Sequence, residues 1–201
     1  MVLTPVDELQ AVNILLAAIG EAAVSSLTEA TTVEVTQAKT LLSNTNRSIQ
    51  QKGWHFNTEW DVVYTRDSDN NIPIGTNILS AYQFNTLMTI RGKGDGTGNL
   101  FFYDLKDNTF VWTGSLNKVI QISLIDFIDT PQTFRQYVTI RAARIFQEET
   151  IGQNSAEAIN SREEAEAYAD LLDDDANVAG LNVGWNDNNM FRITKLNRNF
   201  R

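Results

Sequence analysis

The sequence contains no cysteine among its 201 residues, so it can form no disulfide, has no thiol nucleophile and offers no thiolate ligand to a metal. It has a single histidine, His55, which excludes every metal site that needs two or three histidines from one chain. The first apolar run, Ile14 to Ile19, is too short to cross a bilayer, and the N-terminus lacks the basic segment of a signal peptide. We therefore expect no membrane anchor.

Basic residues are fewer than acidic ones, 16 against 25, which gives a net charge of −9. Such a balance argues against general adhesion to nucleic acid, which needs a basic footprint. It still allows a role beside DNA in which the protein repels the phosphates. With 42% hydrophobic residues, 20% charged residues and only three prolines, the composition is that of a folded protein. The length fits one domain, or two small ones that share a core.

Two amphipathic helices are predicted in the first fifty or so residues. Apolar residues recur at helical spacing from Leu9 to Ile19, which predicts a first helix with Thr4 as its N-cap. A capping box beginning at Thr31 predicts a second helix that runs to Lys52. Because the connector between them is short, we expect the two helices to form a helical hairpin.

The pattern changes from helical to extended at Gly53. Glycine just past a helix end readily adopts the left-handed conformation that stops the helix. Trp54 and Phe56 then alternate with His55 and Asn57, which is the two-residue period of a strand. We expect Gly53, Trp54 and Phe56 to form a structural junction between helix and sheet, with His55 and Asn57 on the other face, free to meet solvent or a neighbour.

Strands are predicted from Trp54 to about Ile125. The stretch NLFFYDLKDNTFVW predicts the clearest hairpin, with strands at 99–102 and 109–113, while residues 78–88 favour neither strand nor helix. Two further helices follow, so the predicted fold class is α+β: a helical hairpin and further helices packed with a small, mostly antiparallel β-sheet module. The predicted division is a helical body at 1–53 and 126–176, a sheet module at 54–125 and a C-terminal tail at 177–201.

Charge is concentrated in the last two predicted segments. The fourth helix carries an acidic face formed by Glu157, Glu163, Glu164, Glu166, Asp170, Asp173, Asp174 and Asp175. The tail is basic, and its cations are Arg192, Lys195, Arg198 and Arg201. An aromatic and cationic tail could bind nucleic acid, dock on an acidic surface of another subunit, or be a frayed terminus.

No catalytic, metal-binding or cofactor-binding residues are predicted. Asp67 and Asp69 resemble the start of a calcium loop, but Ile72 and Ile78 stand where the loop needs glycine and glutamate. Glycines at 92, 94, 96 and 98 do not form a phosphate-binding loop. Paired carboxylates would permit a glycoside hydrolase, but nothing else in the sequence supports one.

Several segments resemble the A-type tail tubular proteins of short-tailed bacteriophages. Asn46 to Glu59, NRSIQQKGWHFNTE, resembles that family's signature NR-x-IQ-x-x-GW-x-FN-x-E. Glu8 to Leu27 is similar to the family's opening segment, and Asp126 to Gly152 is similar to a later helix. The resemblance covers most of the chain up to about Asp175.

The resemblance implies a non-enzymatic structural protein of the virion tail, assembled in the host cytoplasm. Such proteins form a homo-oligomeric ring of about twelve subunits that joins the portal protein to the nozzle, which the B-type tail tubular protein forms. Tail fibres attach nearby, and DNA passes through the lumen without specific binding. Two alternatives are a tail-associated glycan or peptidoglycan hydrolase and a different structural protein of the head-to-tail joint.

Within such a ring the acidic helix has two possible roles. It could line the lumen, where negative charge repels phosphate and lets DNA slide, or it could face a neighbouring subunit. The basic tail could dock on the portal or on a neighbour. We favour the lumen for the helix and the portal for the tail.

Overall fold

The computed structural model describes residues 5–28, 32–152 and 161–178. Within these residues the chain has an α+β fold, as the sequence predicted. The helices are α1 (Glu8–Ala18), α2 (Val33–Gln50), α3 (Gln132–Ile151) and α4 (Ser161–Val178). The strands are β1 (Thr58–Tyr64), β2 (Pro73–Ile74), β3 (Ile78–Tyr82), β4 (Met88–Gly92), β5 (Leu100–Asp104) and β6 (Leu116–Ser123). Two short 3₁₀ helices, His55–Asn57 and Phe127–Asp129, lie before β1 and after β6.

The helices share one hydrophobic core, with α3 at its centre. α3 contacts α1, α2 and α4, because its buried residues lie around most of the helix rather than on one side. Phe134, Val138 and Ala142 are among those that are fully buried. No helix in the described ranges is long and apolar enough to cross a membrane.

The first two helices begin slightly later than predicted. α1 is capped by Asp7, whose carboxylate accepts a hydrogen bond from the Gln10 N–H at 2.7 Å while the Gln10 amide oxygen accepts one from the Asp7 N–H. This reciprocal pair is a capping box, and it replaces the predicted cap Thr4, which lies outside the described residues. Thr32 caps α2, one residue after the predicted Thr31, which also lies outside them.

The strands form two three-stranded antiparallel sheets. The first sheet has the order β1-β6-β3 and the second β2-β5-β4. Side chains from both sheets form a second hydrophobic core, in which Ile72, Phe102 and Val119 are fully buried. β3 and the start of β4 lie in residues 78–88, for which the sequence favoured neither strand nor helix.

The predicted hairpin at 99–113 is only half correct. β5 and the turn after it are present, but residues 109–113 form no strand and return only through one bridge between Asp104 and Thr109. β5 pairs with β2 and β4 instead. The reason is that Trp112 is buried in the sheet core and its indole N–H donates to the Phe102 carbonyl at 3.1 Å. Both edges of β5 are occupied, and the backbone N–H of Trp112 donates to the Asn70 carbonyl at 2.9 Å instead.

Candidate functional site

The chain passes between the helical core and the sheet core twice, and both crossings meet at the end of α2. We call this region, residues 50–57 and 123–127, the joint. Gln50 is fully buried there. Its amide nitrogen donates to the Ile125 carbonyl at 2.8 Å and to the Asn46 side chain at 2.9 Å, and its amide oxygen accepts from the Ile125 N–H at 2.8 Å. One side chain therefore holds the returning crossing against α2.

Asn57 completes the polar network of the joint. Its amide nitrogen donates to the carbonyls of Gln50 and Ser123, both at 3.0 Å, and its oxygen accepts from the Trp54 N–H at 2.8 Å. Asn57 is 2% exposed, so the prediction that it is free to meet solvent is wrong. The reason is local: residues 55–57 form a 3₁₀ turn instead of a strand, and the tighter turn brings Asn57 inward.

Gly53 occupies a position where a side chain would be strained. Its φ is +79°, and an added Cβ would lie 2.8 Å from the Cδ1 atom of Ile122 on β6. The left-handed conformation ends α2, and the missing side chain allows β6 to approach the helix end. Helix termination and packing against Ile122 therefore both favour glycine at this residue.

Trp54 and Phe56 direct their rings into the helical core. The Trp54 indole N–H donates to the Ile49 carbonyl at 2.9 Å, and the indole meets the Phe134 ring edge-on at a centroid distance of 6.2 Å. Phe56 packs on the same Phe134 ring at 4.8 Å. Edge-to-face pairs of this kind stabilise a core beyond simple burial, so both rings hold the joint to α3.

α4 reaches the joint through acids that the sequence placed on an exposed face. Asp175 accepts a hydrogen bond from the His55 N–H at 2.8 Å, and its second oxygen lies 3.3 Å from the His55 Nδ1. Asp174 accepts from the Thr133 hydroxyl at 2.6 Å. His55 is exposed, as predicted, but it is also bonded to α4, so the C-terminal turn of α4 is fixed against both α3 and the joint.

Glu164 is the third acid that points inward. Its carboxylate accepts hydrogen bonds from Arg141 at 2.6 Å and Arg144 at 2.5 Å, and 14% of its side chain is exposed. The hydrogen bond to Glu164 raises the pKa of the Arg144 guanidinium. These two ion pairs hold the N-terminal half of α4 against α3.

The other described acids of α4 lie on its opposite side. We call them the outer acidic stripe; they are all exposed, and they are Glu163, Glu166, Asp170 and Asp173. Their spacing of three, four and three residues places them within one narrow arc of the helix. The single acidic face that the sequence predicted is therefore divided into an inner set that binds the protein's own body and an outer set that does not.

The remaining predicted site residues lie outside the described part of the chain. They are Glu157 and the tail cations Arg192, Lys195, Arg198 and Arg201. Among the residues that the structure describes, no cluster of histidine and acidic side chains has the arrangement of a metal site. Sequence reasoning did not predict the roles of Gln50 and Asn46, although both lie within the signature NRSIQQKGWHFNTE.

A known protein family matches most of the chain. The profile of the family described as tail tubular protein matches residues 9–181, a range that includes the joint and all of the strands. No curated protein matches the chain significantly. Proteins of this family are structural components of the phage virion tail. Since the match spans most of the 201 residues, the chain belongs to the tail tubular protein family.

Proposed function

We propose that this chain is an A-type tail tubular protein, a ring-forming adaptor that joins the portal to the tail nozzle. In this proposal it forms part of the DNA ejection channel, and tail fibres attach nearby. The family match over residues 9–181 is the observation that carries the proposal. The resemblance of residues 46–59 to the A-type signature supports the more specific assignment.

The two hydrophobic cores suit an adaptor that contacts different partners at its two ends. We propose that residues 1–53 and 126–176 act as a helical body, that 54–125 act as a sheet module, and that 177–201 act as a docking tail. The joint connects the two cores through buried amides whose hydrogen bonds are directional. A satisfied buried network of this kind favours one relative orientation over others, which a ring between two fixed partners needs.

The charge of the chain suits a channel that DNA crosses without being held. A net charge of −9 per subunit, repeated around a ring, repels phosphate and opposes trapping of the duplex. We propose that DNA passes through the lumen without specific contacts and that no cofactor takes part.

We also propose that the protein is not an enzyme. A glycan or peptidoglycan hydrolase needs a carboxyl group that stays protonated in a cleft, next to a second, ionised carboxylate. The part-buried acids of α4 are instead bonded within the fold: Glu164 to two arginines, Asp174 to Thr133 and Asp175 to His55. All three carboxylates act as hydrogen-bond acceptors within the fold, which suits a structural role rather than acid catalysis.

Light scattering and negative-stain imaging test the ring. We expect the purified chain, alone or with portal and nozzle proteins, to form a ring with a mass of about 270 kDa, twelve times the 22.5 kDa of one subunit. A protein that remains a monomer at all concentrations in the presence of both partners would refute the adaptor function.

The docking tail is tested separately by deleting residues 186–201. We expect the shortened chain to keep its far-ultraviolet circular dichroism spectrum, because both described cores lie outside the deletion. Binding to the portal, measured by co-sedimentation, should become weaker. Undiminished binding would show that the tail cations do not dock.

A further inference from the structure

The outer face of the second sheet carries two cations stacked on aromatic rings. Phe102 of β5 is fully buried, so its neighbours Phe101 and Tyr103 lie on the opposite side of the sheet. The Arg91 guanidinium lies 4.4 Å from the centre of the Tyr103 ring, and the Lys93 ammonium lies 4.6 Å from that of Phe101. We call this surface, together with the neighbouring Phe110, the cation–aromatic face.

Both cations of this face are exposed and ready to bind an anion. Neither takes part in a salt bridge within the described ranges. The nearby Asp95 is engaged by the Thr97 hydroxyl at 2.7 Å and by its N–H at 3.0 Å. The hydroxyl bond is the main cause of its lowered pKa, and the charge of Lys93 is the smallest. Stacking on the rings holds the two positive charges in place, so less side-chain entropy is lost when a partner arrives.

The same chain carries the complementary surface on its other core. Of the outer acidic stripe on α4, Glu166 is bonded to Arg162, while Glu163, Asp170 and Asp173 have no ion-pair partner among the described residues. α4 packs on α3 and on the joint. The stripe is therefore directed away from the body of its own subunit and is available to a second one.

We infer that the cation–aromatic face of one subunit docks on the outer acidic stripe of the next subunit in the ring. This inference rests on the ring proposed above, and it names the surfaces that would meet. A closed ring needs two different, complementary patches on each subunit, and these patches have opposite charge and lie on different cores. The partner that fits both patches is therefore a second copy of this chain. Of the two roles considered for α4, facing a neighbouring subunit is now preferred to lining the lumen.

Charge reversal tests the inference directly. Arg91→Glu with Lys93→Glu should raise the protein concentration at which half of the subunits are assembled by about tenfold or more, since two attractions become repulsions. Asp170→Lys with Asp173→Lys should have a similar effect. Combining all four substitutions should restore assembly towards the wild-type concentration, because the swapped charges again attract. Sedimentation velocity over a range of concentrations measures each value.

The matched control reverses two exposed cations elsewhere. Arg47→Glu with Lys118→Glu makes the same change in net charge at residues that lie on α2 and β6, and it should leave assembly almost unchanged. If the wild-type protein forms a ring and the reversal at Arg91 and Lys93 does not change its assembly, this inference is overturned and the adaptor function stays intact. Loss of assembly that the four-site swap fails to restore would overturn the pairing.

A third experiment distinguishes docking between subunits from contact with DNA. The Arg91 and Lys93 reversal should change ring assembly without changing the retention of duplex DNA in a mobility assay at low salt. A variant that assembles normally but loses DNA retention would overturn the inference, because the face would then bind phosphate rather than a neighbouring α4. Absence of a ring in the wild-type protein would instead refute the proposed function, on which this inference depends.

Discussion

Replacing Gln50 by leucine tests whether the joint depends on its buried amide. The two side chains have similar volume and similar helix propensity, so α2 should be unaffected. The substitution removes three hydrogen bonds at once: two to the backbone of Ile125 and one to Asn46. It leaves the Ile125 N–H and carbonyl and the Asn46 side chain without these partners.

The cost follows from how deeply those groups are buried. A buried polar group that loses its partner costs about 1–3 kcal/mol. Ile125 is only partly buried, so water can reach its backbone and its two losses lie near the lower end of this range. With a small gain from burying a leucine side chain, we expect Gln50→Leu to lower the free energy of unfolding by about 2–4 kcal/mol. For a chain of this size that corresponds to a decrease in Tm of roughly 5–15 °C.

Urea unfolding followed by circular dichroism and by tryptophan fluorescence measures this change. Gln51→Leu is the matched control, because Gln51 is the next residue and is exposed; it should change stability by less than about 0.5 kcal/mol. Buried tryptophans lie in both cores, Trp54 in the helical core and Trp112 in the sheet core. A fluorescence transition that does not coincide with the circular dichroism transition would therefore show that the two cores unfold separately. Equal stability of the two leucine variants would refute the role assigned to Gln50.

Three further predictions concern other contacts. Gly53→Ala should lower stability by about 2–4 kcal/mol, because it adds a contact with β6 to the strain of positive φ; Gly20→Ala, with φ +82° and open space around it, should cost only about 1 kcal/mol, and equal thermal shifts would contradict the packing argument. Glu164→Gln should lower the free energy of unfolding by about 1–3 kcal/mol, measured by chemical denaturation, because two arginines lose their carboxylate. Glu163→Gln, at the exposed neighbouring residue, should change it very little. Burial, and secondly the charge of a nearby glutamate, raises the pKa of Tyr64 above its ordinary value of 10.0. The stability that the neutral Tyr64 hydroxyl contributes is therefore complete below pH 10 and is lost as the pH rises through the folded-state pKa. Tyr64→Phe should consequently lose less stability than the wild-type protein in alkaline unfolding, and an identical loss in both proteins would contradict this role of Tyr64.

Local sequence patterns predicted most of the helical part of the fold. Apolar residues recur at helical spacing along α3, and Phe134 and Val138 among them are buried as the pattern predicts. Glycine after α2 also predicted where the helix ends, because that preference depends only on backbone conformation. These features are determined by residues close together in the chain, so the sequence alone predicts them.

Features that depend on distant residues were predicted wrongly or not at all. Trp54 to Asn57 alternate like a strand, but Asn57 is drawn inward by hydrogen bonds to Ser123 and to the end of α2. The segment around Trp112 has strand composition, yet its indole bonds to the Phe102 carbonyl and its backbone N–H to the Asn70 carbonyl, so it does not pair with β5. In both cases a tertiary contact overrides a local preference, and periodicity cannot show which distant group supplies it.

The acids of α4 illustrate the same limit and have a functional consequence. Periodicity shows that Glu164 and Asp170 lie on different sides of the helix, but not which side faces α3. The structure assigns Glu164 to α3 and leaves Asp170 exposed. Neutralising Glu164 should therefore destabilise the subunit before assembly begins, whereas reversing Asp170 should leave the isolated subunit stable and weaken only the contact with its neighbour. Folding and assembly would then be controlled by opposite sides of one helix and could be altered independently.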